Sequence, residues 1–268
     1  MRQIHVILDF KIKTMEKTFT ITFGDAAENH VGMRKIGQLA IDGFDLNNLS
    51  KAYYWFQEKG IETYIYDLSA SPRPLYTDYN FEDAYILIAK NGLSAICNTN
   101  DFMTEQDKLE KDTKAYMYGR VVNKKARHNL CFDDIAVSPN YEIGQGTIIS
   151  YDAVPLLNQV RNILPEIIGD KAFNLKAEGN YYYDITKCGI GFHGDSERKR
   201  VIGIRSGASM PLVYSWFYKS KPIGSPMEFI LDNGDIYIMS SYSVGTNWKK
   251  KNVPTLRHAA GCKKFTTL

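Results

Sequence analysis

Two residues separated by one position, His193 and Asp195 in "GIGFHGDSERKR", have side-chain types that bind metal ions. On an extended backbone the two leave the same face and can converge on one ion. A second imidazole is then needed. The chain has 5 histidines, and His258 in "TLRHAAG" lies at the end of the last strand pair, where a closed double-layer β fold brings it beside the first two. Two imidazoles and one carboxylate on one face leave three positions open opposite, which is the facial arrangement of non-haem Fe(II) oxygenases. Two of those positions suit a 2-oxo acid co-substrate and the third suits dioxygen. Taken alone, His-x-Asp is a short pattern that recurs by chance, and a polar turn between two strands is then the better account of it.

The elements around these residues must position them. Near the N-terminus, "QIHVILDFKIK" and "KTFTITFGD" alternate apolar and polar residues, which predicts a hairpin or two neighbouring strands. "DLNNLSKAYYWFQEKG" carries Asp45 and Asn47 as N-cap candidates and Gly60 as a stop, so a helix is expected. "IETYIYDLS" is a further strand, and "AYILIAKNGLSAICN" reads as two strands joined at Asn91-Gly92. "DFMTEQDKLEKDTK" is charged and helix-forming, an exposed helix or linker. In "VPLLNQVRNILPEII" the residues Val154, Leu157, Val160, Ile163 and Leu164 make one apolar stripe, closed by Gly169. After it, "FNLKAEGNYYYD", "RVIGIRSG", "PLVYSWFYK", "PMEFILDNGDIYIMS" and "TLRHAAGCKKFTTL" are short strands parted by turn residues, the pattern of a sandwich or barrel. A small α+β domain over residues 1–110 and a catalytic domain over 111–268 are expected.

The landmarks "EGNYYYD", "CGIGFHGDSER", "VIGIRSG", "LDNGDIYIMS" and "RHAAG" come in the order in which the AlkB-like family of 2-oxoglutarate- and Fe(II)-dependent dioxygenases carries its own motifs. Residues 116 to 268 resemble that family, and "YGRVVNKKARHNLCFDD" with "VPLLNQVRNILPEIIG" resembles its duplex-repair branch. The resemblance implies a double-stranded β-helix (jelly-roll) core in a mainly β protein with an α+β N-terminal part. It implies Fe(II) held by His193, Asp195 and His258, and 2-oxoglutarate contacted by Asn180 or Tyr183. Glu197 is expected to order the loop or to touch substrate. The family places arginines on a last strand beyond the distal histidine, where one pairs with the far carboxylate of 2-oxoglutarate. Here "CKKFTTL" has none, so Arg205 is the first candidate for that cation, followed by Lys264 and Lys263.

The implied reaction is hydroxylation of an alkylated or methylated nucleobase in DNA or RNA, coupled to oxidative decarboxylation of 2-oxoglutarate. A hydroxylase of a protein or small-molecule substrate on the same iron core is the alternative, and a non-catalytic module that kept the fold is a third reading. The run "RVVNKKARHN" offers Arg120, Lys124, Lys125 and Arg127 to phosphates, or is a solvated strand edge. "NWKKKN" adds a basic cluster beside the expected site. Tyr214 and Trp216 read as core, and "FGDAAENHVG" as a structural turn rather than a second metal site.

Bulk composition constrains this further. The net charge of +3 is too small to indicate nucleic-acid binding by itself, so any basic surface must be local. The 4 cysteines have no CxxC spacing and read as free thiols. No apolar run approaches the roughly 18 residues of a membrane span. No membrane association and an intracellular location, cytoplasmic or nuclear, are the expectation.

Overall fold

The computed structural model describes residues 16–70 and 72–268. The expected strand "QIHVILDFKIK" lies outside the described residues. In chain order the first strands are β1 (Thr18–Gly24), β2 (Ala26–Glu28), β3 (Lys35–Gly37), β4 (Thr63–Asp67), β5 (Tyr85–Ala89), β6 (Lys114–Met117), β7 (Arg120–Asn123) and β8 (His128–Asp133). They are followed by β9 (Ile148–Ser150), β10 (Lys176–Tyr182), β11 (Gly189–His193), β12 (Val201–Gly207), β13 (Met210–Tyr218), β14 (Lys221–Leu231), β15 (Ile236–Met239) and β16 (Thr255–Gly261). The helices are α1 (Leu46–Glu58), α2 (Thr99–Lys108), α3 (Pro155–Ile168) and the short α4 (Lys263–Thr266).

The protein is mainly β. An 8-stranded sheet has the order β4-β5-β15-β12-β1-β10-β8-β9, and a 4-stranded sheet the order β11-β16-β13-β14. Strand β1 explains how the large sheet is used on both faces. Its sequence alternates Thr18, Thr20 and Thr22 with Phe19, Ile21 and Phe23, and all seven residues are buried. Ile21 and Phe23 pack with Leu49, Phe56, Leu157 and Leu164 of α1 and α3. The threonines point the other way. On that side Val201, Tyr237 and Met239 of the large sheet meet Leu212, Tyr214 and Leu256 of the small one, forming a second core. Helices thus cover one face of the large sheet and the small sheet covers the other.

The helices form where their caps and stripes place them. The Asp45 side chain accepts from the backbone N–H of Asn48 while the Asn48 side chain accepts from that of Asp45, a reciprocal cap that fixes the start of α1. Leu157, Val160 and Leu164 of α3 are buried.

Three expectations are corrected. Residues on both sides of position 110 build one sheet: β1 is inserted between β10 and β12, and β4 and β5 extend the sheet beyond β15. The expected domain of residues 1–110 is therefore part of the same layer as residues 111–268. Asn91-Gly92 does not join two strands, because after β5 the chain turns into a 3₁₀ segment, Gly92–Ala95, that buries Leu93 under α1. The last predicted strand stops at Gly261 and continues as α4. No helix among the described residues is long and apolar enough to cross a membrane.

Candidate metal centre and its cavity

The two histidines meet because β11 and β16 are antiparallel neighbours, with His193 directly opposite His258. Asp195 lies just beyond β11, where its backbone N–H donates to the Val244 carbonyl. Gly194 makes that approach possible: a Cβ there would lie 2.0 Å from the Gly245 carbonyl oxygen. The Nε2 atoms of His193 and His258 are 3.5 and 3.7 Å from Asp195 Oδ1. His193 Nδ1 is 2.8 Å from the Gly191 carbonyl, which fixes the tautomer that donates there and leaves the Nε2 lone pair facing Asp195. All three donor atoms lie within 4.8 Å of one another.

Charge is arranged to keep the trio in its ligand forms. Burial pushes the His258 imidazole down to about 3, with His193 beside it adding to the effect. Burial alone would raise the Asp195 carboxyl, but it is held well below the usual carboxylate range, with the Arg198 guanidinium the foremost opposing influence. Arg198 Nε is 3.6 Å from Asp195 Oδ2, so one carboxylate oxygen faces the histidines and the other faces the arginine. Two imidazoles and one carboxylate converging from two strands and a turn suit a divalent first-row ion such as Fe(II).

The trio opens into a cavity of about 650 Å³. Its inner end contains Arg205, 1% exposed, with Nε unpartnered. The Arg205 guanidinium lies over the Tyr182 ring at 5.8 Å, and Nη1 is 3.6 Å from Met210 Sδ. No carboxylate among the described residues forms an ion pair with it. Thr20 is Arg205's cross-strand partner on β1, and its buried Oγ1 also lacks a partner. An unpaired buried guanidinium beside an unpaired hydroxyl fits a small carboxylate ligand, and 2-oxoglutarate has such a group. Gly203 leaves room for the Tyr237 ring, which lies across it and lines the same wall.

The outer part differs in charge. Glu28, Glu178 and Glu197 line it together, and Arg198 donates to Glu178 at 2.5 Å and to Glu197 at 2.8 Å. Burial raises the Glu28 carboxyl. His30, Met33 and Lys35 from the β2–β3 hairpin form one rim, and Trp248 and Lys249 form the other. The Trp248 indole donates to Ser196 Oγ at 3.0 Å.

His193, Asp195, His258, Asn180, Arg205, Arg127 and Glu197 all line this cavity. Asn180, however, already accepts from Arg127 and Asn129 and donates to Glu178, so its amide is occupied. Tyr183 is outside: it stacks on His128 and donates to the Lys125 carbonyl. Strand parity is the reason, since Glu178, Asn180 and Tyr182 share one face of β10 and Tyr183 belongs to the other. Lys264 also lies outside, on α4 beside the Phe265 ring. Arg120 is exposed on β7, while Lys124 and Lys125 line a smaller neighbouring cavity with Arg127. Sequence reasoning missed Thr20, Tyr182, Glu178 and Arg198. For Thr20 the signal was present, because every second residue of "TFTITF" is threonine in a strand otherwise apolar.

The layers and the trio define a mainly β protein with a His-Asp-His cluster set between two sheets. The chain is 49% identical over 251 residues to the uncharacterized protein R156 of Acanthamoeba polyphaga mimivirus, spanning 94% of this chain and 98% of that protein. It belongs to that protein's family. No family model matches the chain.

Proposed function

We propose that this protein is an Fe(II)- and 2-oxoglutarate-dependent dioxygenase of the AlkB-like type, oxidising an alkylated or methylated nucleobase. The observation that carries the reading is a single cavity with the His193, Asp195 and His258 donors on its wall and the unpaired Arg205 at its inner end. Bound Fe(II) would supply dioxygen activation: one oxygen atom goes to a C–H bond of the substrate, and the other to 2-oxoglutarate as it decarboxylates to succinate. A hydroxylated N-linked methyl group then leaves as formaldehyde.

The order of strands supports a double-stranded β-helix core. From β10 onward the chain alternates between sheets: β10 large, β11 small, β12 large, β13 and β14 small, β15 large, β16 small. The next strand in that alternation belongs in the large sheet between β10 and β12. That slot holds β1. The strand expected to bring an arginine after the distal histidine is thus replaced by one from the other end of the chain, which carries threonines. Arg205, on the adjacent strand, supplies the cation there.

The chain's own groups have distinct tasks in this reading. His193, Asp195 and His258 hold the ion, and Arg198 keeps the Asp195 carboxylate ionised and aimed. Arg205 and Thr20 bind the far carboxylate of the co-substrate. Trp248 and the β2–β3 rim limit water entry.

Anaerobic addition of Fe(II) and 2-oxoglutarate to the purified protein should produce a weak visible charge-transfer band. His193→Ala and Asp195→Ala should abolish it. A wild-type protein without the band, or variants that keep it, overturns the reading.

A further inference from the structure

Beside the metal cavity lies a second one of about 210 Å³, lined by His30, Lys124, Lys125 and Arg127 and by residues of the β6–β7 hairpin. His30 and Arg127 line both cavities, so the two adjoin. We infer that this smaller cavity is a phosphate subsite, holding a backbone phosphodiester of a nucleic-acid strand while a neighbouring nucleotide enters the metal cavity. Only the choice of a strand rests on the proposed function; the phosphate site stands on its own residues.

Three observations carry it. First, no carboxylate lines the smaller cavity, and Lys124, Lys125 and Arg127 form no ion pair among the described residues. Several cations elsewhere that are also partly buried are matched: Lys90 with Asp232 and Asp235, Arg161 with Asp134, Lys171 with Asp42 and Asp45, Arg200 with Asp42. Second, the partners these groups do have are neutral. Lys124 Nζ donates to Asn29 Oδ1 at 2.6 Å, and Arg127 Nε donates to Asn180 Oδ1 at 2.6 Å. Both cations are held in place and not neutralised. Third, the charges act on one another: burial, then repulsion from Arg127 and Lys124, lowers the His30 imidazole.

Three cations lining one small cavity suit a tetrahedral oxyanion, which accepts from several donors at once. Lys35 and Lys249, on opposite rims of the metal cavity, also lack ion-pair partners among the described residues. Unmatched cations on both sides of the mouth favour a ligand with repeating negative charge over an isolated anion.

The test uses full-length protein kept metal-free with EDTA, and a labelled single-stranded oligonucleotide followed by fluorescence anisotropy between 50 and 200 mM salt. Lys125 is exposed and its side chain holds no other element, so Lys125→Gln should fold normally. It should reduce the slope of log K against log salt by about 0.7, one phosphate contact. Lys124→Gln should do the same and Lys124→Arg should retain the slope. An unchanged slope in both glutamine variants, or no binding of either the oligonucleotide or thymidine monophosphate by wild type, overturns the subsite. Thymidine monophosphate is the second arm: if it binds in a Lys125-dependent way and the oligonucleotide does not, the strand assignment is overturned in favour of a free nucleotide. Because no metal is present, failure here is separate from failure of the charge-transfer band.

Discussion

Arg198 and Arg205 line the same cavity and are almost equally buried, 2% and 1% exposed, yet their surroundings are opposite. Arg198 is bound by Glu178 and Glu197 and faces Asp195. Arg205 faces an aromatic ring, a thioether and a strand of threonines. A buried guanidinium is costly unless paired, so the two must be retained for different reasons. The first cation is ion-paired within the fold and faces Asp195. The second has no ion pair among the described residues, and in the proposed function it waits for an anion.

The sharpest way to break that comparison is a pair of isosteric replacements measured in urea. Arg198→Met strands three carboxylates and should destabilise the protein by about 3–5 kcal/mol. Arg205→Met removes an unpaired charge and should be neutral or stabilising. Equal losses would erase the distinction. The next largest effect concerns the co-substrate: Arg205→Met should weaken 2-oxoglutarate binding by roughly 10- to 150-fold, the worth of about 1.5–3 kcal/mol for hydrogen bonds to a charged group, with Fe(II) binding intact. Titration calorimetry on the Fe(II)- or Mn(II)-loaded protein measures both.

A third prediction extends the comparison to Lys124, another cation without a carboxylate partner. Burial holds its ammonium at about 8, with Asp112 and Arg127 the next largest influences and opposite in effect. Between pH 8 and the ordinary lysine value near 10.5, the unfolded chain keeps a proton that the folded chain has released. The Lys124 contribution to stability should therefore rise with pH over that window, by at most about 1.4 kcal/mol per pH unit. Below pH 8 both states hold the proton and the slope vanishes. Measured as a difference, wild type should gain stability relative to Lys124→Gln from about pH 8 to 10.5, and identical pH profiles for the two proteins would contradict the burial effect. The smallest effect is at Thr20, where Thr20→Val should weaken 2-oxoglutarate binding about 5-fold, one neutral hydrogen bond of about 1 kcal/mol.

Much of the trio was legible because its geometry is local or follows from strand pairing. His193 and Asp195 are two residues apart, and His258 needed only an antiparallel neighbour. Helices α1 and α3 were legible from spacing and caps. The position of β1 was not: alternation marks a strand but says nothing about partners 150 or more residues away, and the expected domain boundary followed from that gap. Tyr183 was chosen over Tyr182 although strand parity with Asn180 selects Tyr182. Lys264 was a candidate only while the last strand was thought to run on past Gly261, whose φ of +126° instead turns the chain away.

The slot filled by β1 also orders the birth of the molecule. Thr18 donates to the Ser206 carbonyl, 188 residues further along. A ribosome adding about 5–20 residues per second needs roughly 10–40 seconds to make that interval. Until β10 is made, late in that interval, "TFTITFG" has neither neighbour available, exposing Phe19, Ile21 and Phe23. The middle of the large sheet, and with it the Thr20 wall of the cavity, is therefore assembled late, around a strand made early, and the pairing that closes it is among the longest-range contacts the chain must find.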